Sequence, residues 1–304
     1  MKQLQYLVAL SETGSFSNAA AQCFVTQSTL SASIISLEEN LGHSLVDRSQ
    51  RAVKLTPLGH AVIDKAHQIL AQAQSIIDMA RALDAPLSGT LRLGVIPTIA
   101  PYFLPRLLPH IQSNYPQLTL QLHEDISERL VAQLDAGHLD LLLIALPYKM
   151  ANVTSYPLFK EDFWLTAPKN IWRGPSPIPA ASLQGLDLLL LDDGHCLRDH
   201  ALEACALQPM PTKKTFSATS LPTLIQMVAH GYGMTILPEM AIETVKNHKD
   251  VDILPFQHPA PQRTIGLAWR KGSPRADEFM MLAKIAKKTG EEAYGHKNQR
   301  LAAE

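Results

Sequence analysis

The residues with most chemistry to offer lie between Gly194 and Cys205, in the run Gly-His-Cys-Leu-Arg-Asp-His-Ala-Leu-Glu-Ala-Cys, which holds two of the three cysteines. Leu188 to Leu191 ahead of it reads as a buried strand and Asp192-Asp193-Gly194 as a turn. The residues after that turn read as a helix with His195 and Cys196 in its first turn. A thiol placed there is expected to be acidified. Unpaired backbone N–H groups and the positive end of the helix favour thiolate, and His195 and Arg198 add positive charge. On a single helix, Cys205 falls on the opposite face and roughly 13 Å further along the axis, whereas a disulfide needs Cα atoms within about 7 Å. Pairing would therefore require the helix to unwind, and an element with two such states is what a switch uses. Two other readings stand beside this one. Free cysteines commonly serve as small apolar packing groups. Cys196, His200 and Cys205 with His195 also offer soft metal ligands, but their spacing fits no usual zinc pattern, and no metal or cofactor is expected.

The chain that must position these residues has 304 of them, 46% hydrophobic, enough for two or three domains with real cores. A net charge of -1 and a pI near 6.9 advertise neither nucleic acid nor membrane, so any such partner has to be argued from a local motif. The Met-Lys-Gln start lacks a secretory pattern, and no apolar run approaches the roughly 20 residues that span a bilayer. A cytoplasmic protein with no membrane association is expected. Three cysteines make no structural disulfide framework, and a disulfide in that compartment would be transient.

In chain order, residues 2 to 11 read as a short amphipathic helix. A second helix over Ala19 to Cys23 is expected to be capped by Ser17 or Asn18, with Cys23 buried in packing, and a third runs from Gln27 to about Asn40 between the cap Thr26 and Gly42. Two short helices joined by a tight turn describe a helix-turn-helix, whose second helix can enter a major groove. Leu45 to Thr56 reads as a two-stranded wing whose Arg48, Arg51 and Lys54 could reach phosphates. Residues 58 to 83 form one long helix with Val62, Ala66, Ile69, Ala73, Ile76, Ala80 and Leu83 along one apolar face. Its length, about 39 Å, points to a homodimer. Asp84 to Gly89 reads as a linker. Beyond it strands and helices alternate, predicting a largely parallel sheet with Thr98 and Ser127 at strand ends, where ligands bind. Gly290 to Glu304 is polar and expected to fray.

The runs Gly14-Ser15-Phe16-Ser17-Asn18-Ala19-Ala20 and Val25-Thr26-Gln27-Ser28-Thr29-Leu30-Ser31, then Leu37-Glu38, Leu41-Gly42, Leu45, Arg48 and Leu55-Thr56-Pro57-Leu58-Gly59, resemble the winged helix-turn-helix of LysR-type transcriptional regulators. The chain departs from that pattern at Ala32, Ser33, Ile35 and Ser36, where basic or amide residues are usual, and at Ser28, where proline is common. Residues 1 to 60 also balance Lys2, Arg48, Arg51 and Lys54 against Glu12, Glu38, Glu39 and Asp47. Weaker and less salt-dependent DNA binding than usual is therefore expected, with readout leaning on Gln27, Ser28, Thr29 and Ser31.

The resemblance implies an α/β chain in which residues 1–57 form the winged helix-turn-helix and 58–89 a linker and dimerisation helix with its hinge. Residues 90–290 would form a two-lobed effector domain like the periplasmic binding proteins (lobe I 90–162 and 268–290, lobe II 163–267), and 291–304 a polar tail. A homotetramer on a double-stranded DNA operator, and contact with RNA polymerase, are implied too.

Gly194 to Asp199 and Cys205, with Ile96-Pro97-Thr98, Ala218-Thr219-Ser220-Leu221 and Arg263-Thr264-Ile265-Gly266-Leu267, are similar to the peroxide-sensing members of that family. This implies that Cys196 is the thiol oxidised by hydrogen peroxide to a sulfenic acid and Cys205 the resolving thiol that condenses with it. Thr98, Ser127, His195, Arg198, Asp199 and Arg263 would line the peroxide pocket, Ser127 standing where threonine is usual. A cellular thiol system would reduce the disulfide. No enzyme is expected. The alternatives are a regulator that senses a small metabolite with inert cysteines, and a thiol peroxidase.

Overall fold

The computed structural model describes residues 1–47, 53–84, 86–186, 188–205 and 218–294. They form two compact units, one of Met1–Ala85 with Asp135–His138 and one of Pro86–Leu134 with Leu139–Glu304.

In the first unit, α1 (Lys2–Thr13), α2 (Phe16–Gln22) and α3 (Gln27–Leu41) pack round a core that includes Leu7, Leu10, Ala19, Leu30 and Ile34. The cap of α2 is Ser15 rather than Ser17 or Asn18, since its hydroxyl accepts from the Asn18 N–H. Cys23 sits just past that helix, half-buried against the core rather than within it. Thr26 caps α3, and Gly42 ends it at φ 71°, a left-handed conformation that favours glycine. The wing is a single antiparallel pair, β1 (Val46–Asp47) with β2 (Lys54–Leu55). Next comes α4 (Pro57–Asp84); its start is anchored by Ile63 and Ala66, while Ile69, Ile76 and Ile77 are exposed.

The second unit is built on a seven-stranded sheet of order β4-β3-β5-β9-β6-β7, with β8 also paired to β6. Its strands are β3 (Gly89–Val95), β4 (Leu118–Glu124), β5 (Leu141–Leu146), β6 (Val153–Pro168), β7 (Thr235–Pro238), β8 (Val251–Pro255) and β9 (Gln262–Arg270). Only β4, β3 and β5 run parallel; β9, β6, β7 and β8 are antiparallel, so the expectation of a largely parallel sheet holds for the first half alone. The sixteen-residue β6 pairs with β9 up to Asp162 and with β7 and β8 from Phe163 on.

Around the sheet lie α5 (Ala100–Asn114), α6 (Ser127–Asp135), α7 (Cys196–Ala204), α8 (Leu221–Ala229), α9 (Glu239–Val245) and α10 (Ala276–Tyr294). The expected strand over Leu188 to Leu191 is irregular. Leu188 and Leu191 each make one isolated bridge, to Met234 and Ala218, and Leu188, Leu189 and Leu190 are only half-buried. Residues 291–294 are no polar tail: α10 carries on through them, and the Tyr294 ring stacks on Phe159 at 5.6 Å. Residues 295–304 lie outside the described ones. Among the described residues, no helix is long and apolar enough to cross a membrane.

Candidate functional site

Cys196 is the first residue of α7, set there by a glycine. Gly194 has φ 95°, and a Cβ at that position would stand 3.1 Å from the Ile126 side chain, so the turn into the helix both needs a left-handed residue and leaves little room for one with a side chain. The first turn of α7 is thereby lowered onto the ends of β3 and β4. Ile96, Pro97 and Thr98 come after β3, Ile126 and Ser127 after β4, and together with His195, Cys196 and Leu197 they enclose one small pocket. The lining closes so tightly that it leaves no room for a water-sized sphere.

Within this pocket the polar groups are organised by Arg263 on β9. Its Nη1 donates to Thr98 Oγ1 at 2.9 Å and its Nη2 to the Thr98 carbonyl at 3.1 Å. Its Nε donates to Glu161 Oε1 at 2.7 Å, and both side chains of that ion pair are fully buried. Glu161 lies directly opposite Arg263 across the β6–β9 ladder, and its other oxygen accepts from the Met240 N–H at 2.9 Å. Burial pushes the Glu161 carboxyl upward while Arg263 pulls it down. Glu161 was not among the expected site residues; it is 102 positions from Arg263, and nothing local in sequence marks it.

The electrostatics of Cys196 differ from expectation. Its thiol is pushed up from the ordinary value because burial, at 6% exposure, outweighs the groups that favour thiolate: the Ser127 hydroxyl, the Arg263 charge and a backbone contact from Ala145. Burial lowers the His195 pKa from its ordinary value, against a raising pull from Asp192, so it favours the thiolate less than expected. Arg198 pairs with Asp193 rather than with the thiol. Asp199 is exposed and does not line the pocket; its charge opposes the thiolate. Four of the six residues expected around Cys196 are therefore in place: Thr98, Ser127 and His195 in the lining, and Arg263 behind it. Ser127 Oγ is buried without a partner of full hydrogen-bond geometry among the described residues. Its nearest polar contact is the Cys196 sulfur, which it favours as thiolate.

Cys205 caps the far end of α7, its N–H donating to the Ala201 carbonyl at 3.1 Å. It is buried in the main core, and its thiol is pushed up to about 12 by that burial. Both cysteines are free, with the length of the helix between them. Among the described residues no group of His, Cys, Asp and Glu could hold a metal ion.

On the helix-turn-helix, Gln27, Ser28 and Thr29 are exposed and Ser31 is half-buried. The Ser28 and Thr29 hydroxyls are bonded to Thr26 Oγ1 at 2.9 and 2.8 Å, which leaves Gln27 the freest polar side chain of the four. Lys54 is exposed; Arg48 and Arg51 lie outside the described residues. Phe24, in the turn before α3, is 96% exposed with φ 55°, and no sequence signal had singled it out.

Comparison with known proteins places these features. Residues 1–60 match the model of the bacterial regulatory helix-turn-helix protein of the lysR family, and residues 84–285 match the LysR substrate binding domain. The chain is 42% identical over 293 residues to the HTH-type transcriptional regulator EstR of Acinetobacter baylyi, covering 95% of this chain and 96% of that protein. It is 40% identical over 284 residues to the hydrogen peroxide-inducible genes activator of Escherichia coli O157:H7, covering 93% of each. A full-length OxyR of Pseudomonas aeruginosa with one cysteine-to-aspartate substitution superposes with a TM-score of 0.77 at 37% identity, over 94% of this chain and 93% of that one. The chain belongs to the LysR family of bacterial transcriptional regulators, among its OxyR-like members.

Proposed function

We propose that this protein is a hydrogen peroxide-sensing, DNA-binding regulator of oxidative-stress genes, switched by a reversible intramolecular disulfide between Cys196 and Cys205. The observation that carries the reading is the placing of the Cys196 sulfur at a helix start against Ser127, in a closed pocket whose Thr98 is held by the buried Arg263. In the first step the thiol gives up its proton, with Ser127 and Arg263 favouring the thiolate. The sulfur then attacks one peroxide oxygen and the O–O bond breaks, giving Cys196–SOH and hydroxide, which takes up the proton to become water. In the second step the Cys205 thiol attacks that sulfenic acid, forming the S–S bond and releasing water. Because α7 separates the two cysteines, this step requires the helix to unwind, and the remodelled segment is the signal.

In the same proposal Gln27, Ser28, Thr29 and Ser31 face the bases, and Arg48, Arg51 and Lys54 the phosphates, of a double-stranded operator. The helix over 58–83 dimerises the chain, pairs of dimers form a tetramer, and the oxidised form acts on RNA polymerase until a cellular thiol reductant restores it. The winged domain of 1–57, the linker of 58–89 and the sensing lobes within 90–290 are the proposed bearers of these roles, at work in the cytoplasm.

Treating reduced protein with a slight excess of hydrogen peroxide should yield a peptide linked between Cys196 and Cys205, absent from Cys196→Ser and Cys205→Ser. Both thiols remaining free would sink the proposal. A second reading, a small-metabolite sensor with inert cysteines, draws on a cavity of about 410 Å³ beside the thiol pocket. It predicts ligand-induced stabilisation indifferent to Cys196→Ser.

A further inference from the structure

Arg263 carries the positive charge that favours the Cys196 thiolate, and its guanidinium is shared between two neighbours. The Nη atoms bind Thr98 in the pocket lining, and Nη2 also reaches Met240 Sδ at 3.7 Å. The third nitrogen, Nε, is given to Glu161. Both oxygens of that side chain accept, Oε1 from Arg263 Nε at 2.7 Å and Oε2 from the Met240 N–H at 2.9 Å, so neither has a place for a proton and the group is an ionised carboxylate. The next residue on β6, Asp162, is bonded by the Gln262 amide at 2.7 Å, and among the described residues Glu161 is the one carboxylate paired with Arg263. Both partners are fully buried, so little water screens them, and the sulfur meets an ion pair rather than a bare cation.

Resting on the function proposed above, we infer that Glu161 is a positioning residue for the peroxide reaction: it holds Arg263 against Thr98 and cancels part of its charge, and so restrains how readily Cys196 ionises. A unit charge about 10 Å away in a medium of dielectric about 20 moves a titration by about one pH unit, so a buried carboxylate acting through its arginine is felt at the sulfur. Left unopposed, Arg263 would make the thiol more acidic and open it to electrophiles at large. The other titratable groups that sense the sulfur, Asp199 on α7 and Tyr148 after β5, act from other elements and do not bond to Arg263. The reaction itself is the one already written, with thiolate attacking peroxide to give Cys196–SOH and hydroxide; Glu161 sets the supply of thiolate.

The test uses full-length protein carrying Cys23→Ser and Cys205→Ser, so that Cys196 is the sole thiol, with Glu161 intact, as Glu161→Gln and as Glu161→Asp. Thiolate is followed across pH by its ultraviolet absorbance, less that of the same protein with Cys196→Ser, and second-order oxidation by hydrogen peroxide is followed by trapping the sulfenic acid. Glu161→Gln removes the charge and should move the thiol midpoint down by about half to one pH unit. Oxidation at pH 7 should become roughly two to four times faster, less than the gain in thiolate, because a more acidic thiol is a weaker nucleophile. Glu161→Asp restores the charge and should return most of the shift. A midpoint that stays put or rises in Glu161→Gln, or that falls equally in both variants, overturns the inference, and so does a Glu161→Gln chain that does not fold, since the carboxylate would then be a brace and not a restraint. Midpoints that shift as expected while hydrogen peroxide leaves Cys196 unoxidised in all three proteins would fell the proposed function and uphold the control of Glu161 over the thiol.

Discussion

At the scale of single residues, the reactivity of Cys196 is a contest between burial and the groups that favour its thiolate. Burial outweighs them and holds the thiol above its ordinary value, so its rate of oxidation by hydrogen peroxide should go on rising with pH past the point where an ordinary cysteine levels off. Stopped-flow rates across pH would show this; a plateau below pH 8 would mean that the thiolate is already present at rest. Ser127→Ala removes one group on the favourable side and should slow oxidation roughly fivefold, the worth of one hydrogen bond of about 1 kcal/mol. Cys205 makes the complementary prediction for stability. Its folded-state pKa is raised to about 12, above the ordinary thiol value, so its contribution is fully present below about pH 8.5 and lost as pH rises toward 12. Urea titrations between pH 9 and 11 should show the reduced protein losing up to about 1.4 kcal/mol per pH unit relative to Cys205→Ala. A difference that stays flat with pH would show the thiol to be open to solvent.

At the scale of elements, α7 is the part that must give way, and its stability should set the speed of the second step. Glu203 is exposed on its last turn, so Glu203→Gly weakens the helix by about 1 kcal/mol without touching the core. Disulfide formation should then be up to about fivefold faster, while trapped sulfenic acid forms at an unchanged rate; no acceleration would mean that unwinding does not limit the reaction. Most of this element was legible in sequence: its start, its turn glycine and the opposed cysteines come directly from residue type and spacing. The acidity of Cys196 was not, because a helix N-terminus can be read from a pattern while burial depends on the strands that close over it. Glu161 was missed for the same reason, since only the β6–β9 register brings it opposite Arg263. That pair predicts a large effect too. Arg263→Met leaves a buried carboxylate without its cation and should cost about 3–5 kcal/mol in urea unfolding, far more than a surface arginine would.

At the scale of the whole molecule, two features of the DNA-binding half decide how strongly it can hold an operator. The first is α4, whose exposed Ile69, Ile76 and Ile77 leave an apolar strip, the surface that the proposed dimer would cover. The second is charge. Residues 1 to 60 balance four basic against four acidic side chains, and on α3 the Ser28 and Thr29 hydroxyls are already engaged with Thr26. A reader so short of cations releases few counterions from DNA. The logarithm of its binding constant should therefore fall with the logarithm of salt with a slope set by the few contacts from residues such as Lys54, Arg48 and Arg51, about 0.9 per neutralised phosphate. In the proposed dimer, affinity would come instead from holding two reading helices on one operator, which joins the two features. Ile76→Glu should break the apolar strip, shift the protein toward monomer in sedimentation at micromolar concentration, and weaken operator binding far more than its single charge would by itself. If the slope in a fluorescence titration proved steep and Ile76→Glu left affinity unchanged, phosphate contacts rather than pairing would be holding the DNA.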